Sequence, residues 1–418
     1  MVKKKLAFCL RSHEIGGIEK YIRIILENID KTQFDIFLYC NHSKNTLPFF
    51  EQIEKSGIDV IFLSRKEQKK DHDDAPVQYK SKNIILGLIK TIYQALIPNS
   101  VRKEVYVLSE LFHNLMPIYR EFKSKNLDII HFNSGCLFWL IPDMVAARLA
   151  RIPNKILTIH NCSIYPKTII NNFLNVLLRV SIFTCVDNII TICEFSKKVF
   201  LLQHPLLSKR TIVIHNGVDL NEIDNKLTEN KEKDSRKILT QGNIFVIGIL
   251  ARLSNDKGHK FLLEAINLII DKLPLIDIKV LIAGDGPSKP DLIKLINNLK
   301  ISHYFKLLGH IDNVVAFLSL CDVIASPSLQ EGFSFSLLES MACYKPIIAT
   351  PVGGTKEMVD SSTGILVPAG DSIALANAIT ELAFNKEKRL KMGIFAREKV
   401  KNLFQQKEML SKTFNLYH

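Results

Sequence analysis

The 418 residues are 47% hydrophobic and 23% charged, which excludes a disordered chain and is enough for two ordinary cores. No apolar run reaches the ~18–20 residues of a membrane-spanning helix, and the opening stretch MVKKKLAFCLRSHE has too short an apolar run for a signal-peptide core. The net charge of +13 is uneven: residues 1–215 hold 30 Lys and Arg against 19 Asp and Glu, and the remainder 25 against 23. Aromatics are sparse on the basic stretches and no nucleic-acid motif occurs. The basic half therefore points to an anionic membrane surface or a phosphorylated acceptor, not to nucleic acid. Eight cysteines are scattered without C-x-x-C spacing, so they read as reduced, buried thiols of a cytoplasmic protein and not as a zinc site.

In chain order, KKLAFCL reads as a first strand, and Gly16-Gly17 opens an amphipathic helix with Ile18, Ile22, Ile25 and Ile29 on one stripe. Glycines at a strand–helix turn let backbone N–H groups approach an anion, although a plain tight turn uses the same residues. The strands FDIFLYC, DVIFL, DIIHF, KILTIH, DNIITI and TIVIH follow, with helices between most of them. This alternation predicts a parallel, doubly wound sheet. Arg65 to Asp74 is a mixed charge run read as a solvated loop, and its Asp71-His72-Asp73 is read as a chance D-x-D. Lys80 to Asn99 and Lys167 to Val186 interrupt the pattern. Each reads either as a buried helix or as an amphipathic helix resting on a bilayer. Three strands end in histidine, at His131, His160 and His215, and His160 in LTIHN is the candidate active-site residue.

Leu220 to Gly242 is polar, and the domain boundary is placed there: residues 1–218 form the first domain and 219–401 the second. A last helix within 402–418 is expected to pack back on the first domain. The second strand series is IFVIGILAR, IKVLIAG, YFKLLG, DVIASPS, PIIAT and GILVP. Helices are expected at Lys257–Leu273, Pro287–Leu299, Asn313–Leu320, Ser334–Cys343, Asp371–Phe384 and Lys386–Asn402. Arg252 and Lys257 flank the first turn of this series, well placed to neutralise a diphosphate. Gly284-Asp285-Gly286-Pro287 ends the next strand as a turn. Gly309-His310 ends the one after, where backbone groups can read a base edge.

The densest chemistry lies in Ser326 to Gly354, SPSLQEGFSFSLLESMACYKPIIATPVGG. Glu331 and Glu339 stand eight positions apart around Gly332-Phe333-Ser334-Phe335-Ser336. Ser334 or Ser336 is the predicted N-cap of a helix carrying Glu339. Free N–H groups at that helix start suit a diphosphate, and a carboxylate on either side accepts hydrogen bonds from neutral hydroxyls. At ~1.5 Å per residue, Ser334 and Glu339 are about 7–8 Å apart along the axis, roughly the reach from a diphosphate to a ribose.

G-G-x-E at 16–19, TIHN at 158–161, HNGVD at 215–219, RLSNDKG at 252–258, AGDGP at 283–287, the E-x7-E stretch and ATPVGG at 349–354 occur in one order. In that order they resemble the retaining glycosyltransferases of family 4 ("group 1"), over most of the chain and least over residues 65–125. The resemblance implies the GT-B fold, two Rossmann-like α/β domains facing a central cleft. It implies metal-independent transfer of a hexose or N-acetylhexosamine, with retention, from a nucleotide-sugar to a glycan or lipid-linked acceptor. A UDP-sugar donor and a role in cell-envelope polysaccharide synthesis are the family-level expectations. It also implies that Gly16 and Gly17 approach donor phosphate and acceptor, and that Arg252 and Lys257 hold the diphosphate. Glu331 would contact the transferred sugar, Glu339 the ribose, and His160 the reacting sugar. Gly309, His310, Gly332, Phe333, Ser334 and Phe335 are counted with the donor-binding residues, residues 1–218 with the acceptor side and 219–401 with the donor side. Two other classes stay open: an epimerase of the same fold, and an inactive nucleotide-sugar-binding subunit. Tyr344 stands where the family usually has glycine. A left-handed residue there costs about 1–2 kcal/mol, so the helix is expected to end differently.

Overall fold

The computed structural model describes residues 2–12, 16–41, 43, 46–63, 113–161, 169–232, 244–270 and 277–418. Arg65 to Asp74 and Lys80 to Asn99 lie outside the described residues.

The first sheet has seven strands: β1 (Lys4–Arg11), β2 (Phe34–Cys40), β3 (Asp59–Phe62), β4 (Ile129–Ser134), β5 (Asn154–Ile159), β6 (Asn188–Thr191) and β7 (Thr211–Val213). Their order is β3-β2-β1-β4-β5-β6-β7. The pairings among β1 to β5 are parallel. β4 is buried throughout and β1 over Leu6 to Leu10, as expected for central strands covered on both faces. The predicted first helix forms as Gly17–Asn28 and buries Tyr21, Ile22, Ile25 and Leu26. At the end of β1, Arg11 forms a two-pronged ion pair with the fully buried Asp143, at 3.0 and 2.5 Å.

The second sheet has six strands: β8 (Ile244–Leu250), β9 (Asp277–Ala283), β10 (Phe305–Gly309), β11 (Val323–Ser326), β12 (Ile347–Ala349) and β13 (Gly364–Leu366). The order is β10-β9-β8-β11-β12-β13, all parallel. The order reverses between β8 and β11, which makes the crevice beyond their carboxyl ends the place for a ligand. One apolar core joins β8, β9 and β11 to the helices His259–Ile269 and Ser372–Phe384 through Ile247, Leu263, Ile266, Val280, Ile379 and Leu382.

The described chain divides into two compact units. One comprises residues 1–159, 163–190 and 206–210; the other comprises 160–162, 191–205 and 211–418. The C-terminal helix Gln406–Phe414 falls in the second unit.

Two local readings of the sequence change. The polar stretch after Leu220 begins as a helix, Leu220–Glu232. Asp219 caps it by accepting the Asn221 N–H at 2.8 Å, Ile223 is buried, and Arg397 reaches Asp224 at 2.6 Å. The helix Phe335–Ala342 does end on a left-handed residue, contrary to the expectation from Tyr344, whose φ is 60°. The Lys345 N–H bonds the Ser340 carbonyl at 3.0 Å and the Tyr344 N–H bonds Met341 at 3.1 Å. This is the paired closure that the left-handed turn makes possible. The Arg397 guanidinium lies 5.3 Å from the Tyr344 ring centroid, an attraction that offsets part of the strain.

Candidate functional site

Five loops of the second unit meet beyond the carboxyl ends of its strands. The loop after β8 carries Arg252 to Gly258. Its Leu253 N–H bonds the Asp285 carbonyl at 2.9 Å, and the Ser288 N–H returns to the Leu253 carbonyl at 2.9 Å. Glycine is required where these backbones touch. A Cβ at Gly284, which has φ +137°, would lie 2.0 Å from the Ala251 carbonyl oxygen. A Cβ at Gly258, with φ +68°, would lie 1.9 Å from that of Pro327. The AGDGP and DKG motifs are therefore the contact points that lock the loops after β8, β9 and β11 together.

Across the β8/β11 reversal, Lys257 Nζ donates to Glu331 Oε2 at 3.0 Å, and both side chains are largely buried. The Ser328 hydroxyl reaches the same oxygen at 3.3 Å. Asp256 lies 3.8 Å from Lys257 and 3.9 Å from Arg252, so the second cation stays in reach of the crevice while half exposed. The Asp256 carbonyl accepts the Leu329 N–H at 2.7 Å. A cation and a carboxylate are thus held side by side where the strand order reverses.

Glu331 and Gly332 are seated on the VGG turn. A Cβ at Gly353, with φ +54°, would lie 1.8 Å from the Glu331 carbonyl oxygen. The Gly354 N–H bonds the Gly332 carbonyl at 2.8 Å. Gly332 in turn packs on His160, whose carbonyl oxygen would be 2.5 Å from an added Cβ. The His160 ring is buried, and burial alone lowers its pKa to about 3. At neutral pH it is an uncharged imidazole with one N–H donor and one acceptor nitrogen, and not an imidazolium acid.

The helix Phe335–Ala342 starts at Ser334, whose hydroxyl faces the Leu337 N–H at 3.4 Å and the Ser336 hydroxyl at 2.9 Å. Glu339 is half-buried five positions along. The Phe333 and Phe335 side chains are buried, so what these positions offer a ligand is backbone. Phe333 packs against His215 and Phe404, with ring centroids 4.9 and 5.2 Å away. Its carbonyl accepts the Asn216 side-chain N–H at 2.8 Å. Gly309 ends β10 with φ +69° in open space, and the His310 side chain is exposed beside Asp312. Both lie at the β10 edge of the sheet, two strands from the reversal.

Gly16 and Gly17 are described within the first unit. Gly16 is extended, and a Cβ added there would meet nothing among the described residues closer than 3.8 Å, so neither strain nor crowding from them demands glycine. The missing side chain leaves space over the helix start. Glu19 accepts the Gly16 N–H at 2.7 Å, and its own burial raises its pKa.

Glu357 was missed by sequence reasoning. Burial favours its neutral form, but His215 at 2.9 Å and the N–H groups of Phe195 and Glu194 at 2.9 and 3.0 Å hold its pKa below the usual carboxylate value. It therefore caps the helix Glu194–Gln203 and orients the His215 ring that supports Phe333. The one local signal was its position just after VGGT. Among the described residues, no group of three or more His, Cys, Asp or Glu is placed to hold a metal ion.

Two family descriptions match: "Glycosyltransferase Family 4" over residues 15–222 and "Glycosyl transferases group 1" over 244–385. The chain is 28% identical over 305 residues to the N-acetyl-alpha-D-glucosaminyl L-malate synthase of Bacillus anthracis, covering 70% of this chain and 75% of that protein. It is 26% identical over 309 residues to the UDP-Gal:alpha-D-GlcNAc-diphosphoundecaprenol alpha-1,3-galactosyltransferase of Escherichia coli, covering 73% and 78%. Anabaena HepE, solved in complex with UDP, superposes with a TM-score of 0.74 at 19% identity over 98% of both chains. That likeness establishes two parallel-sheet α/β domains of GT-B type.

Proposed function

The chain belongs to the family 4, group 1 glycosyltransferases, and from that premise we propose that it moves a hexose or N-acetylhexosamine from a UDP-sugar to a glycan or lipid-linked acceptor, with retention and without a metal. The observation that carries this reading is the Lys257–Glu331 pair, set between the β8/β11 reversal and the start of the helix Phe335–Ala342. A nucleotide diphosphate placed there meets Lys257, Arg252 and the N–H groups of that helix. Each of them favours negative charge and favours it more as the sugar–phosphate bond lengthens. Release of Lys257 to the phosphate frees Glu331 to accept hydrogen bonds from the hydroxyls of the transferred sugar. Glu339 would then contact the ribose, and the backbone at Gly309 and His310 the base.

The proposed route uses no covalent nucleophile. The acceptor hydroxyl attacks the anomeric carbon on the face the phosphate leaves. The carbon–oxygen bond to phosphate breaks, the bond to the acceptor oxygen forms, and the proton passes to the leaving phosphate oxygen. Neutral His160 contributes hydrogen bonds to the sugar, consistent with a proton route that bypasses it. The Escherichia coli relative acts on a diphosphoundecaprenol-linked acceptor, which supports a lipid-linked acceptor and a place in cell-envelope polysaccharide synthesis. On this reading the protein works at the cytoplasmic face of an anionic membrane. Among the described residues no helix is long and apolar enough to cross one.

The test is transfer from UDP-sugars to a lipid-linked saccharide in the presence of a chelator, with the product anomer read by NMR. An α-linked product formed at an undiminished rate supports the reading. A β-linked product or a chelator-sensitive rate contradicts it. An altered free sugar formed without acceptor identifies an epimerase.

A further inference from the structure

We propose that the outward face of the helix Ile169–Cys185, with the basic ends of its neighbours, docks on an anionic lipid bilayer. The inference rests on the membrane-side reading above for its use in the reaction and goes beyond it by assigning the surface. The helix buries Leu178, Ile182 and Cys185 on one stripe. A helix at a water surface is polar on the other side. Here the opposite side carries Val176, Val180 and Phe183, exposed to 57%, 52% and 46%. Their spacing of four and three puts them on one ridge. The helix Ile141–Leu149 packs against this one and ends in exposed Leu149; the short turn Pro205–Arg210 adds exposed Leu206.

Cations frame the ridge. Arg210 donates to the carbonyls of Phe183 and Val186 at 3.1 and 3.2 Å, and its guanidinium lies 5.7 Å from the Phe183 ring centroid. Arg148 donates to the Thr184 carbonyl at 2.6 Å. Both guanidiniums thus sit at the C-terminal end of the helix, beside exposed Phe183. Arg179 is exposed within the ridge and Lys209 beside Arg210. Residues 144–186 contain five Lys and Arg and no Asp or Glu. An apolar ridge flanked by side chains that pair with phosphate is the arrangement of a helix lying in a bilayer interface, with aliphatic groups at the acyl boundary and cations at the headgroups. Among the described residues the ridge itself holds no acidic side chain, and the exposed Asp187 beyond its end is paired with Lys155, which fits an anionic lipid layer.

The experiment is co-sedimentation of the full chain with vesicles of phosphatidylcholine, with and without phosphatidylglycerol, across salt. Two double variants are compared with wild type: Val180→Asp with Phe183→Glu, and Arg179→Glu with Lys209→Glu. The wild type is expected to bind only the anionic vesicles, more weakly as salt rises. Each variant is expected to lose about tenfold or more in partition, while stabilisation by nucleotide-sugar in solution stays unchanged. If the apolar variant does not fold, the charge variant decides alone. Equal partition of wild type and variant, or no wild-type preference for anionic vesicles, overturns the proposal. So does self-association that the same substitutions abolish, in the absence of vesicle binding. A wild type that binds anionic vesicles but no nucleotide-sugar overturns the preceding section's reading and leaves this one standing.

Discussion

Lys257 Nζ lies 3.0 Å from Glu331 Oε2, and the two residues come from loops after β8 and β11, neighbouring strands at the point where the order of the sheet reverses. Each restrains the other through this ion pair. On the proposed reading, a bound diphosphate would take over the cation and release the carboxylate to the sugar.

Replacing Lys257 by Met or Glu331 by Gln is therefore expected to lower transfer by about 100-fold or more, the scale of a lost group aimed at transition-state charge. The combined variant is expected to lose less than the product of the two, because the residues act as one unit. Initial rates at saturating donor give the comparison. A combined loss equal to the product would show that they act independently.

The VGG turn is a second point of leverage. Gly353→Ala places a Cβ 1.8 Å from the Glu331 carbonyl oxygen and forces a left-handed φ on alanine. A loss of about 2–4 kcal/mol is expected from strain and clash together, with donor binding weakened at temperatures where the variant is still folded. Denaturant unfolding and donor titration check the two effects, and a variant as stable as wild type would contradict the geometry.

Glu357 is expected to matter beyond its one ion pair. Glu357→Ala strips a partner from His215 and from two N–H groups of the helix Glu194–Gln203, at a cost of about 1–2 kcal/mol. Glu357→Gln keeps an acceptor oxygen and is expected to lose less. Thermal unfolding ranks the two, and equal losses would mean that the cap contributes nothing.

Two buried histidines set an acid limit. Burial is the main cause in lowering the pKa of His160 to about 3 and that of His259 to about 4. In the unfolded chain both take up a proton below about pH 6.5. The neutral rings therefore contribute fully above that pH, and the contribution is lost as pH falls from about 6.5 toward the folded values. Neither ring nitrogen of His259 has a hydrogen-bond partner among the described residues. His259→Leu removes two unsatisfied buried atoms and is expected to flatten the fall of the unfolding temperature between pH 7 and 5. An unchanged slope would count against the assignment.

The strands were legible because they are short β-branched or apolar runs, several of them ended by glycine, proline or asparagine, as in IKVLIAG and PIIATP. The crevice was legible because its motifs are the contacts themselves: Gly258, Gly284 and Gly353 are glycine because a carbonyl oxygen occupies the place of a side chain. What stayed hidden depends on residues far apart in sequence. Glu357 finds His215 from 142 positions away, and Tyr344 is held in its left-handed turn with Arg397 over its ring. The helix after Leu220 buries Ile223 alone among its described side chains and is completed by the ion pair with Arg397, which no local pattern announces. Phe333 and Phe335 read as ligand contacts from their place in the motif, whereas their rings serve the core.

The most direct test of the central claim is thermal shift of the wild type and the Lys257→Met variant with UDP-, GDP- and ADP-sugars, with and without chelator. The account predicts that a UDP-sugar stabilises the wild type selectively, that chelator leaves the shift unchanged, and that the variant loses most of it. A wild type that responds to no nucleotide-sugar, or a variant that responds as the wild type does, would contradict it.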